Sequence, residues 1–213
     1  MKLPVDIHTH RLPQLSGEAI VNCCPEAFVP QEGGWYSVGI HPWRVASSDI
    51  KDGVMDNLSR LLCHPQVLAM GEAGLDKLAD APMSVQTEIF RLQACLAMEV
   101  GKPLIIHLVK AVEELLRIKR ELYPSNPWII HGFRGKEPLA AEYLRHGFYL
   151  SFGEKYREDT LRRVPSDRLF IETDESMVPV EELYERAAAI RGVSSDELKE
   201  TIKGNISRVF FKR

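Results

Sequence analysis

Eight short runs of apolar or β-branched residues recur along the 213-residue chain, and most of them stop at a side chain able to bind a metal. The runs are Leu3 to His10, Ala19 to Cys23, Tyr36 to Ile40, Val67 to Glu72, Pro103 to His107, Trp128 to His131, Phe148 to Phe152 and Leu169 to Asp174. Several are apolar throughout, as expected of strands buried on both faces in a parallel sheet covered by helices. Between them the apolar spacing changes to three or four, most clearly at Val85, Ile89, Leu92, Leu96 and Val100, which marks one face of a helix. Further helices are expected near 49–63, 111–122, 137–146, 155–163, 181–191 and 195–203, with Gly147 ending one and Ser195 capping another. The connections from Arg11 to Glu18 and from Cys24 to Trp35 are too short or too rich in Pro and Gly for full helices.

This alternation predicts an α/β fold, a (β/α)8 TIM-type barrel with reduced helices after the first two strands, as a single domain over residues 1–213. The C-terminal ends of barrel strands converge on one mouth, where active sites are built. His8, His10, His41, Glu72, His107, His131 and Asp174 are therefore expected to share a pocket despite their separation in sequence.

In Asp6-Ile7-His8-Thr9-His10 the two-residue period of a strand puts Asp6, His8 and His10 on one face. Two imidazoles so placed can grip one metal ion, although a single H-x-H is equally a pair of hydrogen-bonded histidines at a strand end. Repetition of the pattern in Leu104-Ile105-Ile106-His107 and Trp128-Ile129-Ile130-His131, together with Glu72 and Asp174, favours the metal site. Four imidazoles and two carboxylates exceed one tetrahedral structural zinc and suit two divalent ions bridged by a carboxylate. Glu72 is the expected bridge, with His8, His10 and Asp174 completing one ion and His107 and His131 holding the other. Such a pair lowers the pKa of a bound water to about 7. Glu72 and Asp174 are the expected catalytic carboxylates, Asp174 taking the proton from the nucleophile. Imidazole donors suit Zn, Mn, Fe or Ni better than Mg. Around these, His41 is expected to line the pocket, Asp6 to orient a ligand imidazole or cap backbone, Glu172 to support the site from behind, and Asp76 to fix its loop.

Composition narrows the remaining possibilities. No apolar run approaches the roughly 20 residues that span a bilayer, and Asp6 interrupts the N-terminal stretch too early for a signal peptide. A cytoplasmic protein with no membrane partner and no obligate protein partner is expected. Cys23, Cys24, Cys63 and Cys95 form no C-x-x-C pair and are expected to be buried free thiols. A net charge of −3 argues against attachment to nucleic acid through the overall field. Residues 110–168, however, carry 12 Lys+Arg against 9 Asp+Glu. Within that stretch Arg134, Lys136, Lys155 and Arg157 follow the sixth and seventh strands, and Arg134 and Lys155 are candidate substrate-binding residues. Trp35 and Trp43 flank the third strand, where an aromatic ring can stack on a base or sugar.

The chain resembles the TatD-type metal-dependent hydrolases of the amidohydrolase-like superfamily. The resemblance rests on Asp6-x-His8-x-His10, Gly39-Ile40-His41-Pro42, Gly71-Glu72-x-Gly74-Leu75-Asp76, Gln86-x3-Phe90-x2-Gln93, His107 with Ala111, His131-x-Phe133-x-Gly135, Ser151-Phe152-Gly153, Glu172-Thr173-Asp174 and Asn205 with Phe210. It implies a (β/α)8 barrel, divalent cations at His8, His10, Glu72, His107, His131 and Asp174, and hydrolysis, often of nucleic acid ends as a 3′-to-5′ deoxyribonuclease. Departures concentrate in the parts that grip substrate. Val109 stands where the family usually has Arg, Lys110 replaces an acid, Lys77 replaces an aromatic, and the Ala-Pro after the final Asp is missing. Hydrolysis of a small amide, ester or lactone is thus the alternative reading, and a noncatalytic metal-binding scaffold a third.

Overall fold

Each apolar run forms a strand, and the eight strands lie in one sheet in chain order, every adjacent pair parallel. They are β1 (Asp6–Thr9), β2 (Ala19–Cys23), β3 (Trp35–Val38), β4 (Val67–Asp76), β5 (Leu104–Val109), β6 (Trp128–Ile130), β7 (Tyr149–Phe152) and β8 (Leu169–Ile171). The computed structural model of the chain describes residues 3–45 and 53–211. A bridge between Thr9 and Asp174 joins the two edges, so the sheet closes into the expected barrel.

The helices are α1 (Val54–Leu62), α2 (Met83–Glu99), α3 (Val112–Leu122), α4 (Glu137–Arg145), α5 (Glu158–Arg163), α6 (Val180–Arg191) and α7 (Ser195–Phe210). Single 3₁₀ turns at Pro25–Ala27 and Pro42–Arg44 follow β2 and β3. Of the helix expected over 49–63, residues 49–52 lie outside the described residues. The last helix outruns its expected end at 203, because Ile202, Ile206, Val209 and Phe210 keep returning to the core past Gly204 and Asn205. Asn205 breaks nothing there: its buried amide donates to the carbonyls of Ser166 and Leu169, at 2.7 and 3.0 Å, and ties α7 to the start of β8. Among the described residues, no helix is long and apolar enough to cross a membrane.

Two buried glutamines on α2 fix the strand ends that carry site residues. Gln93 accepts from the Ile40 N–H at 2.7 Å and donates to the Ile40 carbonyl at 3.2 Å, holding the backbone just before His41. One heptad earlier on the same helix face, Gln86 accepts from the Asp76 N–H at 2.8 Å and donates to its carbonyl at 2.9 Å. Each amide supplies the donor and acceptor that the backbone needs where the sheet ladder runs out. A Gln93→Leu protein is expected to lose about 1–3 kcal/mol of stability, the cost of leaving those buried backbone groups unpaired. Its urea midpoint relative to the parent measures this.

The seam between β1 and β8 shows what Asp6 does. Its buried carboxylate accepts from the His8 and Thr173 N–H groups, both at 3.1 Å, and from the Thr173 hydroxyl at 2.7 Å. Of the two roles expected for Asp6, the backbone role is the one observed, and among the described residues no imidazole hydrogen-bonds to its carboxylate. The cysteines depart from expectation: all four are free thiols, but Cys63 and Cys95 are exposed and Cys23 and Cys24 half-buried. Trp35 also differs, because it opens β3 at the end remote from the mouth and packs edge-on against Phe211, with centroids 5.3 Å apart.

Candidate metal centre

Glu72, 3% exposed, sits at the middle of the mouth with a different set of imidazoles on each carboxylate oxygen. Oε1 lies 2.7 Å from His107 Nδ1, 2.8 Å from His131 Nε2 and 3.2 Å from His41 Nε2. Oε2 lies 3.3 Å from His10 Nε2, 3.4 Å from His8 Nε2 and 3.5 Å from Asn22 Nδ2. Asp174 closes the second set, its Oδ1 3.5 Å from His10 Nε2 and 3.8 Å from His8 Nε2. Three donor groups result, each with its atoms within 4.8 Å of one another: His8, His10 and Glu72; His8, His131 and Asp174; His41, Glu72 and His107.

Whether this set suits cations is decided by where the ring protons go. His107 faces Glu72 through Nδ1 and Asp76 through Nε2, the latter at 3.2 Å. His131 faces Glu72 through Nε2 and, through Nδ1, Glu172 at 3.3 Å. A neutral imidazole has one N–H, so it can donate to only one of two flanking carboxylates. When the outer carboxylate takes that N–H, the inner nitrogen turns a lone pair toward Glu72, the arrangement in which a carboxylate orients a metal-binding histidine. His8 adds to this, since it is fully buried and, among the described residues, neither ring nitrogen has a hydrogen-bond partner. Buried polar atoms without partners are rare, and a cation is the partner an imidazole lone pair lacks here. The residues fit divalent cations on both sides of Glu72.

His41 is different. Its Nδ1 accepts the Trp43 N–H at 3.1 Å, which leaves the ring proton on Nε2 pointing at Glu72. It lines the cavity and presents its Nε2–H to Glu72.

The carboxylates and imidazoles of the centre polarise one another. Burial alone would raise Glu72, but His131, His10 and His107 together hold its carboxyl well below the usual range. Burial would lower His131, and the charges of Glu72 and Glu172 hold it well above the ordinary imidazole value. Such mutual dependence at a cavity is a mark of functional sites.

The cavity over the centre measures about 520 Å³ and is lined by Glu72, Asp174 and the mouth-facing histidines, with Trp43 and Arg44 at its rim. A second cavity of about 220 Å³ adjoins it, sharing Asp174 and Glu175, and both Arg134 and Lys155 line it.

A family model described as TatD related DNase matches residues 26–211. The chain belongs to the TatD family. Among its relatives, the uncharacterized metal-dependent hydrolase YabD of Bacillus subtilis is 37% identical over 147 residues, or 65% of this chain and 57% of YabD. The chain thus spans little more than half the length of that relative. The human 3′-5′ RNA nuclease TATDN2 is 30% identical over 73% of this chain and 22% of its own length. In structure, the TatD homolog YjjV of Escherichia coli K12 superposes with a TM-score of 0.84 at 19% identity, covering 100% of this chain and 98% of YjjV, which establishes the shared fold.

This TatD-family site also contains features that the sequence did not reveal. Asn22 of β2 accepts the Glu72 N–H at 2.7 Å through Oδ1, fixing the central carboxylate from below. The available signal was a polar residue on the same strand face as the buried Ile20, near the mouth end of an apolar run. Asp76 does fix its loop, accepting the Leu78 N–H at 2.7 Å, but its other oxygen also holds His107 and the Trp43 indole.

Proposed function

We propose that the chain is a metal-dependent hydrolase acting on phosphodiesters at nucleic acid ends, with His8, His10 and Asp174 holding one cation, His107 and His131 a second, and Glu72 both. The observation that carries this reading is the division of labour at Glu72, one oxygen facing each set of imidazoles, with separate carboxylates behind His107 and His131. Bound divalent cations supply a nucleophile at neutral pH and neutralise charge developing on the substrate. Asp174, 26% exposed, faces the cavity and takes the proton of the attacking water. His41, whose Nε2–H faces Glu72, helps to orient that carboxylate from the cavity wall. Arg134 and Lys155, in the adjoining cavity, offer positive charge to the next phosphate along a strand. Nuclease names among TatD relatives support the same substrate class.

Replacing Arg134 and Lys155 together by Ala is expected to raise KM for a single-stranded oligonucleotide about 10-fold and to flatten its salt dependence, as loss of two phosphate contacts does. Steady-state kinetics at two ionic strengths checks this.

A cavity of about 520 Å³ is also the size of a small-molecule site, and it favours the second reading, an amide, ester or lactone hydrolase. The deciding experiment assays purified, metal-supplemented protein on single-stranded DNA, RNA and a phosphodiester reporter, and on an amide and lactone panel. Release of nucleotides from oligonucleotide ends is expected. Turnover confined to amides or lactones would refute the nucleic acid reading, and inertness on every substrate would leave a scaffold.

A further inference from the structure

Trp43 is 70% exposed at the rim of the cavity, an unusual position for the largest apolar side chain. It is nonetheless fixed. The indole Nε1 donates to Asp76 Oδ2 at 2.7 Å, and the ring meets His41 and His107 edge-on, with centroids at 5.1 and 6.0 Å. A rigid aromatic face open to solvent beside a hydrolytic centre loses little entropy when a ligand covers it.

The surroundings show what kind of ligand fits. Of the exposed large apolar residues, Leu12, Leu78 and Met177 lie in the loops that follow β1, β4 and β8, and Trp43, in the 3₁₀ turn after β3, lines the cavity itself. The cavity therefore sets this aromatic face beside the cation Arg44, with Arg134 and Lys155 in the adjoining cavity. Unpaired bases joined by phosphates have that chemistry, and stacking on aromatics is how single strands are held without reading their sequence.

We propose that Trp43 is a stacking platform for the base next to the scissile phosphodiester, an inference that rests on the phosphodiesterase reading above. Stacking, and not anchoring of the loop, is then what the exposed face contributes. The discriminating quantity is the ratio of kcat/KM for a single-stranded oligodeoxynucleotide with an intact terminal nucleotide to that for the same strand with an abasic end. Trp43→Leu is expected to lower this ratio about 10-fold and Trp43→Phe to restore most of it, in line with the strength of base–aromatic stacking. If Trp43→Leu lowers both rates equally, the ring acts through His107 and the platform is refuted; an unchanged ratio refutes it as well.

A second measurement needs no turnover. Titrating the metal-supplemented protein with a deoxynucleoside monophosphate is expected to quench a component of tryptophan fluorescence that Trp43→Phe lacks, whereas deoxyribose phosphate leaves it. Should the parent cleave no oligonucleotide, the phosphodiesterase reading fails by itself. The titration still decides the platform, since quenching by the nucleotide supports it and absence of quenching overturns it.

Discussion

Replacing Glu72 by Gln is expected to lower turnover on the order of 10³-fold or more and to remove metal from both sides of the centre, because the cation-dependent nucleophile and its charge stabilisation are lost together. The reason is the position of one carboxylate. Its two oxygens face His107 and His131 on one side and His8 and His10 on the other. An amide has half the accepting capacity, no charge, and an NH2 that would point at imidazole nitrogens meant to present lone pairs. Asp174→Asn is a useful contrast. The Asp174 carboxylate approaches His8 and His10 through one oxygen at 3.8 and 3.5 Å and makes no such ion-pair contact with His107 or His131 among the described residues, so this variant is expected to keep the cation at His107 and His131 while losing the proton acceptor. Elemental analysis of the two variants alongside kcat separates a bridging from a terminal carboxylate.

Gly74→Ala is expected to cost roughly 3 kcal/mol or more, the upper range of overpacking a strand interface. Gly74 pairs in register with His107, and a Cβ built on it would lie 1.9 Å from the His107 carbonyl oxygen and 3.0 Å from the His107 Cβ. Both obstacles belong to the neighbouring strand at its backbone, so no rotamer change relieves them. β4 and β5 must part, and His107 moves with its backbone away from Glu72 and Asp76. The melting temperature should fall by roughly 6–12 °C for a chain of this size, and metal binding at His107 should weaken in whatever protein remains folded. Gly204→Ala is the control. Gly204 is exposed within α7, with no atom within 4 Å of an added Cβ, so this change is expected to stabilise by about 0.5–1 kcal/mol through helix propensity.

The sequence carried the barrel because both of its signals are local. Continuous apolar runs such as Leu104 to Ile106 and four-residue spacing as in Val85 and Ile89 each report their own burial. His8, His10, Glu72, His107, His131 and Asp174 were legible for a related reason: each lies at or near the end of an apolar run of the sequence, and parallel closure then brings them together. What stayed hidden depends on contacts between segments. The joint grip of Asp76 on His107 and Trp43 needs three loops in place, and Asn22 acquires its role only when β2 and β4 bring it to the Glu72 backbone. Asp6 illustrates the same limit, since strand alternation placed it on the face of the ligands while its hydrogen bonds run to the backbone and hydroxyl of the closing seam. The cysteines failed as an inference from average burial, because Cys63 ends α1 and Cys95 lies on the outward face of α2.

The measurement closest to the central claim is the metal content of the purified protein. Anaerobic preparation with supplementation by Zn, Mn, Fe or Ni, followed by elemental analysis, is expected to give two divalent ions per chain, with the count falling in Glu72→Gln. A parent protein that holds no stoichiometric divalent metal under any of these conditions would contradict the account.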